Sequence, residues 1–304
     1  MICPICCKST DQNFIEKIGE YELYHCISCD VVFSNPMRNP GEEWYKKIYI
    51  LRNHGVETKL SWSHKQFLKY KPIPGGRLID IGCGDGFFLY EAKKIGYKVT
   101  GIDFDKEAIE KGKKLYGLSE LYSDNLENFL LNCSGKFDII TLFDVLEHSE
   151  NPVKLIEDIN KILKLNGVII ISLPNRDRWP KSTIPKKLDS PPHHLTRWNI
   201  SAVTKFLENH GFQIKKVVFS RSYTYNILFS IGFGITNRLV KKALNLKSSP
   251  GEENKSSEVI LRRATIWAEF RRTLFDKICF FIDIFLKIIG VKGSYIYLIA
   301  KKRS

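Results

Sequence analysis

The sequence predicts an α/β protein with a doubly wound, mostly parallel sheet. A small cysteine-containing module precedes this sheet at the N-terminus. Three observations predict this. An apolar run followed by three glycines in five residues, "LIDIGCGDG", opens a β-α-β pattern; strand and helix patterns then continue to about residue 175; and two CxxC pairs precede them. A composition of 43% hydrophobic and 26% charged residues excludes a disordered chain.

Two cysteine pairs stand at the start of the chain with 19 residues between them: Cys3, Cys6, Cys26 and Cys29. The spacing is typical of two tight turns that each offer two thiolates to one tetrahedral Zn²⁺. The start "MICPICCKST" lacks the pattern of a signal peptide, so we expect a cytoplasmic protein with reduced thiols. Cys7 is expected not to be a ligand. Positions 7 and 30 follow the two turns, where a positive φ and therefore glycine is favoured, but they hold Cys and Asp.

The glycine-rich turn comes between the predicted strand "RLIDIG" and the predicted helix "FFLYEAKKIG". Its glycines, Gly82, Gly84 and Gly86, depart from the G-x-G-x-x-G of a dinucleotide cradle. Such a turn still lets the backbone approach a ligand and points a helix N-terminus at a negative group. Asp103 ends the next strand, where a carboxylate can accept hydrogen bonds from two ribose hydroxyls. Together with Asp80, the turn predicts a site for an adenosine that carries a carboxylate.

These segments resemble the class I S-adenosylmethionine-dependent methyltransferases. The family's motifs are similar to "LIDIGCGDG", "VTGIDFD", "KFDIITLFDVLEHSENP" and "LKLNGVIIISLPN", over residues 77–175. The resemblance implies a Rossmann-like, seven-stranded sheet with an antiparallel last strand, and S-adenosylmethionine as the cofactor. It also implies that Asp124 contacts the adenine amino group and that Asp144 and His148 line the pocket. Glu147 is expected to face solvent or to begin a helix.

The segment "DSPPHHLTRWN" follows the fifth strand and is similar to the "PPHHLxRW" of many small-molecule members of that family. Loops at the carboxyl ends of parallel strands form the ligand crevice, so we expect His193, His194 and Arg197 beside the acceptor. A histidine there can accept the proton of an acceptor hydroxyl, because its pKa lies near neutrality. His148 is a third candidate base. The alternative, that one histidine only holds the loop by a hydrogen bond, stays open.

The C-terminal part of the chain is strongly basic. Residues 221–304 hold 16 basic and 6 acidic residues, and so contribute +10 of the formal net charge of +14. An insertion at about 221–292 separates the predicted strands "GFQIKKVVFS" and "GSYIYLIAKK". Its most apolar helical stretch, of about 13 residues, is too short for a hydrocarbon core of about 30 Å. The insertion is expected either to pack as a lid or subunit contact, or to dock on an anionic membrane.

The predicted organisation is a zinc-ribbon-like module at 1–40, linker helices at 41–75 and a methyltransferase domain at 76–304. The predicted function is methyl transfer from S-adenosylmethionine to a small-molecule or lipid-linked acceptor such as a sugar, in the cytoplasm or at the inner face of the membrane. Two alternatives stay open: an RNA methyltransferase, which is less expected, and a cofactor-binding scaffold without turnover. The start also resembles C-methyltransferases of deoxysugar biosynthesis, whose extra C-terminal domain is not expected in 304 residues. The methylated atom and the oligomeric state stay open as well.

Overall fold

The computed structural model describes residues 2–9, 12–41, 44–45, 59–133, 135–179, 181, 184, 186–220 and 293–303. One compact unit comprises Met1–Asp177, Ile184–Ser220 and Tyr295–Ser304, and it contains every strand and helix given below. A second unit comprises Arg178–Thr183 and Arg221–Ser294. The predicted insertion at 221–292 therefore lies outside the described residues, and its lid and membrane interpretations stay predictions. No helix within the described ranges is long and apolar enough to cross a membrane.

The described residues form eleven strands and six α-helices. The strands are β1 (Gln12–Ile18), β2 (Tyr21–Cys26), β3 (Val32–Asn35), β4 (Arg77–Ile81), β5 (Lys98–Asp103), β6 (Leu121–Ser123), β7 (Phe137–Phe143), β8 (Leu163–Pro174), β9 (Thr196–Arg197), β10 (Phe212–Phe219) and β11 (Tyr295–Lys302). The helices are α1 (Trp62–Tyr70), α2 (Phe87–Lys94), α3 (Lys106–Tyr116), α4 (Leu126–Asn132), α5 (Pro152–Ile162) and α6 (Ile200–Asn209). A single 3₁₀ turn covers Leu146–His148.

The large sheet has seven strands in the spatial order β10-β11-β8-β7-β4-β5-β6. Strands β4 to β8 are mutually parallel, whereas β11 runs antiparallel to both of its neighbours. This confirms the predicted Rossmann-like sheet with an antiparallel last strand. The inner strands β4, β7 and β8 are buried almost throughout, because side chains on both faces of a parallel sheet pack against covering elements. Their near-continuous apolar sequences follow from that burial.

A small antiparallel sheet holds the N-terminal module, in the order β1-β2-β3-β9. Its fourth strand, β9, is distant in sequence from the other three. Val32 of β3 pairs with Arg197, and Phe33 pairs with Thr196. Strand β9 directly follows the segment "SPPHHL". The cysteine module and the histidine segment are therefore parts of one sheet.

Short polar side chains begin the helices where the sequence places them. Asp105 caps α3, and its carboxylate accepts hydrogen bonds from the backbone N–H groups of the first turn. Asn199 begins α6, and its side-chain oxygen accepts a hydrogen bond from Ala202 N at 2.8 Å. Gly211, with φ +86°, follows the end of that helix. Of the predicted linker helices at 41–75, the structure describes α1.

Candidate active site

The glycine turn lies between β4 and α2, and all three of its glycines have a left-handed backbone. The φ angles of Gly82, Gly84 and Gly86 are +79°, +57° and +74°, a region that residues with a β-carbon rarely adopt. A β-carbon at Gly82 would also lie 2.7 Å from Cγ2 of Val145. Gly86 directly precedes α2, whose first N–H groups have no acceptor within the helix. The turn therefore fits a ligand that needs close backbone approach and carries a negative group.

The carboxylate of Asp103 holds this turn in place. One of its oxygens accepts a hydrogen bond from Gly84 N at 2.7 Å, and the other accepts one from Asp105 N at 2.9 Å. Burial raises the pKa of the Asp103 carboxyl, and these backbone hydrogen bonds oppose the rise. Asp103 thus positions the turn, and its predicted contact with two ribose hydroxyls stays a prediction.

Asp80 is a buried carboxyl beside the turn, only 2% exposed. Its Oδ1 accepts a hydrogen bond from the hydroxyl of Thr141 on β7 at 2.6 Å. Burial raises the pKa of Asp80 to about 7; the hydrogen bond from Thr141 lowers this pKa, and the nearby charge of Asp103 raises it. A carboxyl that titrates near neutrality can change its charge when a cation binds next to it.

The two other acidic residues predicted at the cofactor site also follow parallel strands. Asp124 comes directly after β6, and its backbone N donates to Asp103 O at 3.0 Å. Asp144 comes directly after β7 with φ +57°, and its carboxylate accepts a hydrogen bond from the Ser172 hydroxyl at 3.2 Å. The predicted cofactor residues therefore meet at one edge of the sheet, as the parallel topology requires.

The structure brings the three candidate bases together. His148 ends the 3₁₀ turn after β7, and His193 and His194 lie in the segment before β9. Their ring centroids are between 4.5 Å and 4.9 Å apart, and one ring nitrogen from each lies within 4.8 Å of the others. Arg197, predicted beside them, lies on β9 and donates from Nη2 to the Ser190 hydroxyl at 3.0 Å. We call the three histidines the histidine cluster.

Hydrogen bonds settle which nitrogen of each ring carries the proton. Nδ1 of His148 lies 2.5 Å from the carbonyl oxygen of His193. Nδ1 of His193 lies 2.8 Å from Leu188 O, and Nδ1 of His194 lies 3.3 Å from the carboxylate of Asp189. Carbonyl and carboxylate oxygens only accept, so Nδ1 donates in each ring, and in the neutral form of each ring Nε2 carries the lone pair. Burial and the two other histidines lower the pKa of His148 well below its ordinary value, which keeps that ring neutral.

The side chain of Glu147 is buried, so the expectation that it faces solvent is wrong. The other alternative, a place at the start of a helix, agrees with the 3₁₀ turn Leu146–His148. Glu147 is 1% exposed, and neither carboxylate oxygen has a hydrogen-bond partner within the described residues. Its Oε1 lies 4.0 Å from Nε2 of His148. Burial and the charge of Asp144 raise the pKa of Glu147 well above its ordinary value. A buried carboxyl without a partner is costly, which favours a ligand at this point.

The histidine cluster and Glu147 can serve two kinds of chemistry. Imidazole nitrogens with free lone pairs accept a proton from a hydroxyl. Three imidazoles and a carboxylate are also a donor set that suits a divalent transition metal, in particular when each imidazole donates its other N–H to an oxygen.

Two aromatic residues of the linker lie against the histidine cluster, and no sequence motif singles them out. The ring centroid of Tyr45, a residue that is 5% exposed, lies 6.0 Å from those of His148 and His193. The Trp44 ring lies 5.6 Å from His193. Tyr45 also lies 5.7 Å from Phe104, which directly follows Asp103. Tyr45 therefore contacts both the histidine cluster and the residue that follows Asp103.

The four paired cysteines converge in the N-terminal module. The Sγ–Sγ distance is 3.7 Å for Cys3 and Cys29 and 3.7 Å for Cys6 and Cys26, and all four sulfurs lie within 4.8 Å of one another as free thiols. A tetrahedron with Zn–S bonds of about 2.3 Å has edges of about 3.8 Å, so the spacing fits one ion. Cys7 is exposed, lies outside this group and has φ +55°, the positive value that its position predicts.

Comparison with known proteins agrees with this geometry. A family model described as "Methyltransferase domain" matches residues 53–217, which is more than half of the chain. The ubiquinone biosynthesis O-methyltransferase of Actinobacillus pleuropneumoniae is 34% identical over 110 residues, covering 34% of this chain and 47% of that protein. The enzyme of the same name from Psychrobacter arcticus is 29% identical over 174 residues, covering 55% of this chain and 60% of that protein.

The solved structure of a methyltransferase from Archaeoglobus fulgidus, described as dependent on S-adenosylmethionine, shares the fold. It superposes with a TM-score of 0.50 at 19% identity and covers 84% of this chain and 99% of that one. The chain spans about half the length of the curated relatives it matches. On the match to the family model, this chain belongs to the methyltransferase domain family and carries a class I S-adenosylmethionine-dependent methyltransferase domain.

Proposed function

We propose that this protein transfers the methyl group of S-adenosylmethionine to a hydroxyl group of a small-molecule acceptor. The observation that carries the proposal is the histidine cluster at the same sheet edge as the glycine turn, with Tyr45 in contact with both sides. The name O-methyltransferase, which the relatives carry, supports a hydroxyl acceptor. More specifically, we propose that the acceptor is a saccharide or a lipid-linked molecule.

When bound, S-adenosylmethionine supplies a methyl group on a sulfonium, which is already an activated leaving group. The protein's own residues bind the cofactor and orient it and the acceptor. In the proposal, Asp103 accepts from the ribose hydroxyls, Asp124 from the adenine amino group, and the glycine turn receives the carboxylate. Nε2 of one histidine takes the acceptor's hydroxyl proton as its oxygen gains the methyl group. The rings of Tyr45 and Trp44 keep water away from the reacting groups.

The buried carboxylate of Glu147 favours a second role for the histidine cluster, the binding of a divalent cation. A cation there would pair the carboxylate and leave a position open for the acceptor oxygen. The proposal for the four cysteines is one Zn²⁺ per chain, so the cation role predicts two metal ions per chain. Metal analysis after substitution of Glu147 by Gln should then find one ion. A single ion in both proteins would leave the histidines with the role of a base.

The functional experiment uses purified protein, cofactor labelled on its methyl group and fractionated cell extract. Label in the small-molecule or lipid fraction supports the proposal, and label in RNA supports the alternative of an RNA methyltransferase. Cofactor binding without any transfer would make the protein a scaffold.

Substitution of both His193 and His194 by Ala tests the acceptor side by itself. Cofactor affinity should stay within about threefold, while turnover should fall by on the order of 10² or more. A double variant with normal turnover would reduce both residues to supports of the loop.

A further inference from the structure

Strand pairing joins the segment that carries His193 and His194 to the cysteine module. Directly after the histidines, Leu195 O accepts a hydrogen bond from Ser34 N at 2.9 Å, and β9 then pairs with β3. Strand β3 pairs in turn with β2, whose last residue is Cys26. A chain of backbone hydrogen bonds thus runs from a predicted metal ligand to the histidine cluster.

Asp30 joins the same module to both ends of this segment. It directly follows Cys29, and its Oδ1 accepts hydrogen bonds from Nη2 of Arg176 at 2.7 Å and from Nε2 of His25 at 2.8 Å. Its Oδ2 accepts a hydrogen bond from Nδ2 of Asn199 at 2.7 Å. Arg176 follows β8 and Asn199 caps α6, so the two residues stand before and after the histidines in the sequence. One carboxylate therefore holds both flanks of the segment.

The conformation of Asp30 indicates that the carboxylate is there for these contacts. Its φ is +60°, a value at which glycine carries no steric cost and aspartate carries some. The turn after the second cysteine pair does not itself require a carboxylate. The contacts with Arg176 and Asn199 supply a reason for aspartate at a position where glycine fits better.

We propose that Asp30 is a positioning residue that couples metal binding at the four cysteines to the placement of the acceptor-side histidines. This inference rests on the proposed function, since it gives the histidines their role at the acceptor. Metal bound through Cys26 and Cys29 holds the second cysteine turn, and Asp30 is the next residue along the chain. Loss of the metal releases that turn, and the histidine segment then loses its anchors on both sides.

The cofactor side of the site is held by its own hydrogen bonds, so loss of the metal or of the Asp30 carboxylate should not affect it. Gly82 N and Cys83 N both donate to Ile102 O, at 2.8 Å and 3.1 Å, and Asp103 holds Gly84. Among the described residues, none of these groups forms a hydrogen bond with Asp30. A change at Asp30 is therefore expected to act on the histidine segment alone.

The test compares Asp30→Gly with the unaltered protein, because glycine keeps the left-handed turn and removes only the carboxylate. Hydrogen–deuterium exchange should be about tenfold faster or more at Leu195 and Arg176, whose N–H groups bond Glu147 O at 2.8 Å and Trp198 O at 2.7 Å. Exchange at Gly82 and the cofactor affinity by calorimetry should be unchanged. In the labelled-transfer assay kcat should fall while KM for the cofactor stays constant. The unchanged exchange at Gly82 separates this local effect from a general loss of folded protein, which also lowers kcat.

Glu20→Gln is the matched control, since it breaks the exposed 2.6 Å ion pair with Arg38 elsewhere in the same module. Its exchange should match that of the unaltered protein. Chelation in the Glu147→Gln protein, in which only the cysteine-bound ion is expected, should reproduce the exchange pattern of Asp30→Gly, and this second measurement stands even if that variant fails to fold. Unchanged exchange at Leu195 after chelation, or equal acceleration at Gly82, would overturn the proposal. Fast exchange at Leu195 without any methyl transfer would leave the coupling intact and refute the proposed function instead.

Discussion

Cofactor affinity should depend on pH through Asp80. Burial raises the pKa of this carboxyl to about 7 in the cofactor-free protein, so the group is half ionised near pH 7. A bound sulfonium and ammonium favour the ionised carboxylate, so its pKa falls on binding and affinity rises with pH. If only the ionised form binds, the ionised fraction falls from about 0.5 at pH 7.0 to about 0.03 at pH 5.5. Affinity should then fall about 16-fold, which is about 1.6 kcal/mol.

Calorimetric titration of the purified protein with S-adenosylmethionine over this pH range measures the effect. The range stays below the pKa of a free α-amino group, about 8, so the cofactor itself keeps its charge. Asp80→Asn removes the titrating group, and its affinity should be independent of pH while the overall fold is kept. Repeating the titration in buffers of different ionisation enthalpy reports the proton that binding releases. The same pH slope in Asp80→Asn and in the unaltered protein would assign the titration to another group and refute this reasoning.

Two further predictions concern packing and metal. Gly112 lies inside α3, where alanine ordinarily stabilises a helix by about 1 kcal/mol, but its β-carbon would lie 2.1 Å from Asp85 O. Gly112→Ala should therefore destabilise the protein by about 1 to 3 kcal/mol in urea denaturation, and a gain in stability would show that α3 shifts freely. At the cysteine site, metal analysis should find the Zn²⁺ retained in Cys7→Ser and lost in Cys6→Ser; the opposite result would reassign the ligands.

The large sheet could be predicted from sequence because its signals are local. Each inner strand is a short apolar run, and each is followed within a few residues by a turn or a helix cap such as Asp105 or Asn151. The predicted cofactor residues Asp80, Asp103 and Asp144 stand at or just after strand ends, so the topology alone collects them at one edge. The spacing of the CxxC pairs is likewise local information.

The burial of Glu147 could not be predicted in the same way. A glutamate after a strand ordinarily faces solvent, and burial of a charged group is rare. What buries it is the segment before β9, where Leu195 N donates to Glu147 O at 2.8 Å across a separation of 48 positions. The neighbouring His148 was the one local signal, because a carboxylate beside a histidine is common in metal and proton-transfer sites.

The two halves of the site therefore differ in how the chain assembles them. The cofactor half is built by consecutive β-α units, so each of its residues has a periodic sequence around it. The acceptor half depends on Asp30, on Tyr45 and on β9, a strand of two residues that is too short to show any periodicity. The pairing of β3 with β9, the contacts of Asp30 and the hydrogen bond from Leu195 N to Glu147 O bring that half into register with the sheet. Substitutions at Asp30 should consequently change acceptor chemistry and leave cofactor binding intact. Substitutions at Asp103 should weaken cofactor binding itself, because its carboxylate holds Gly84.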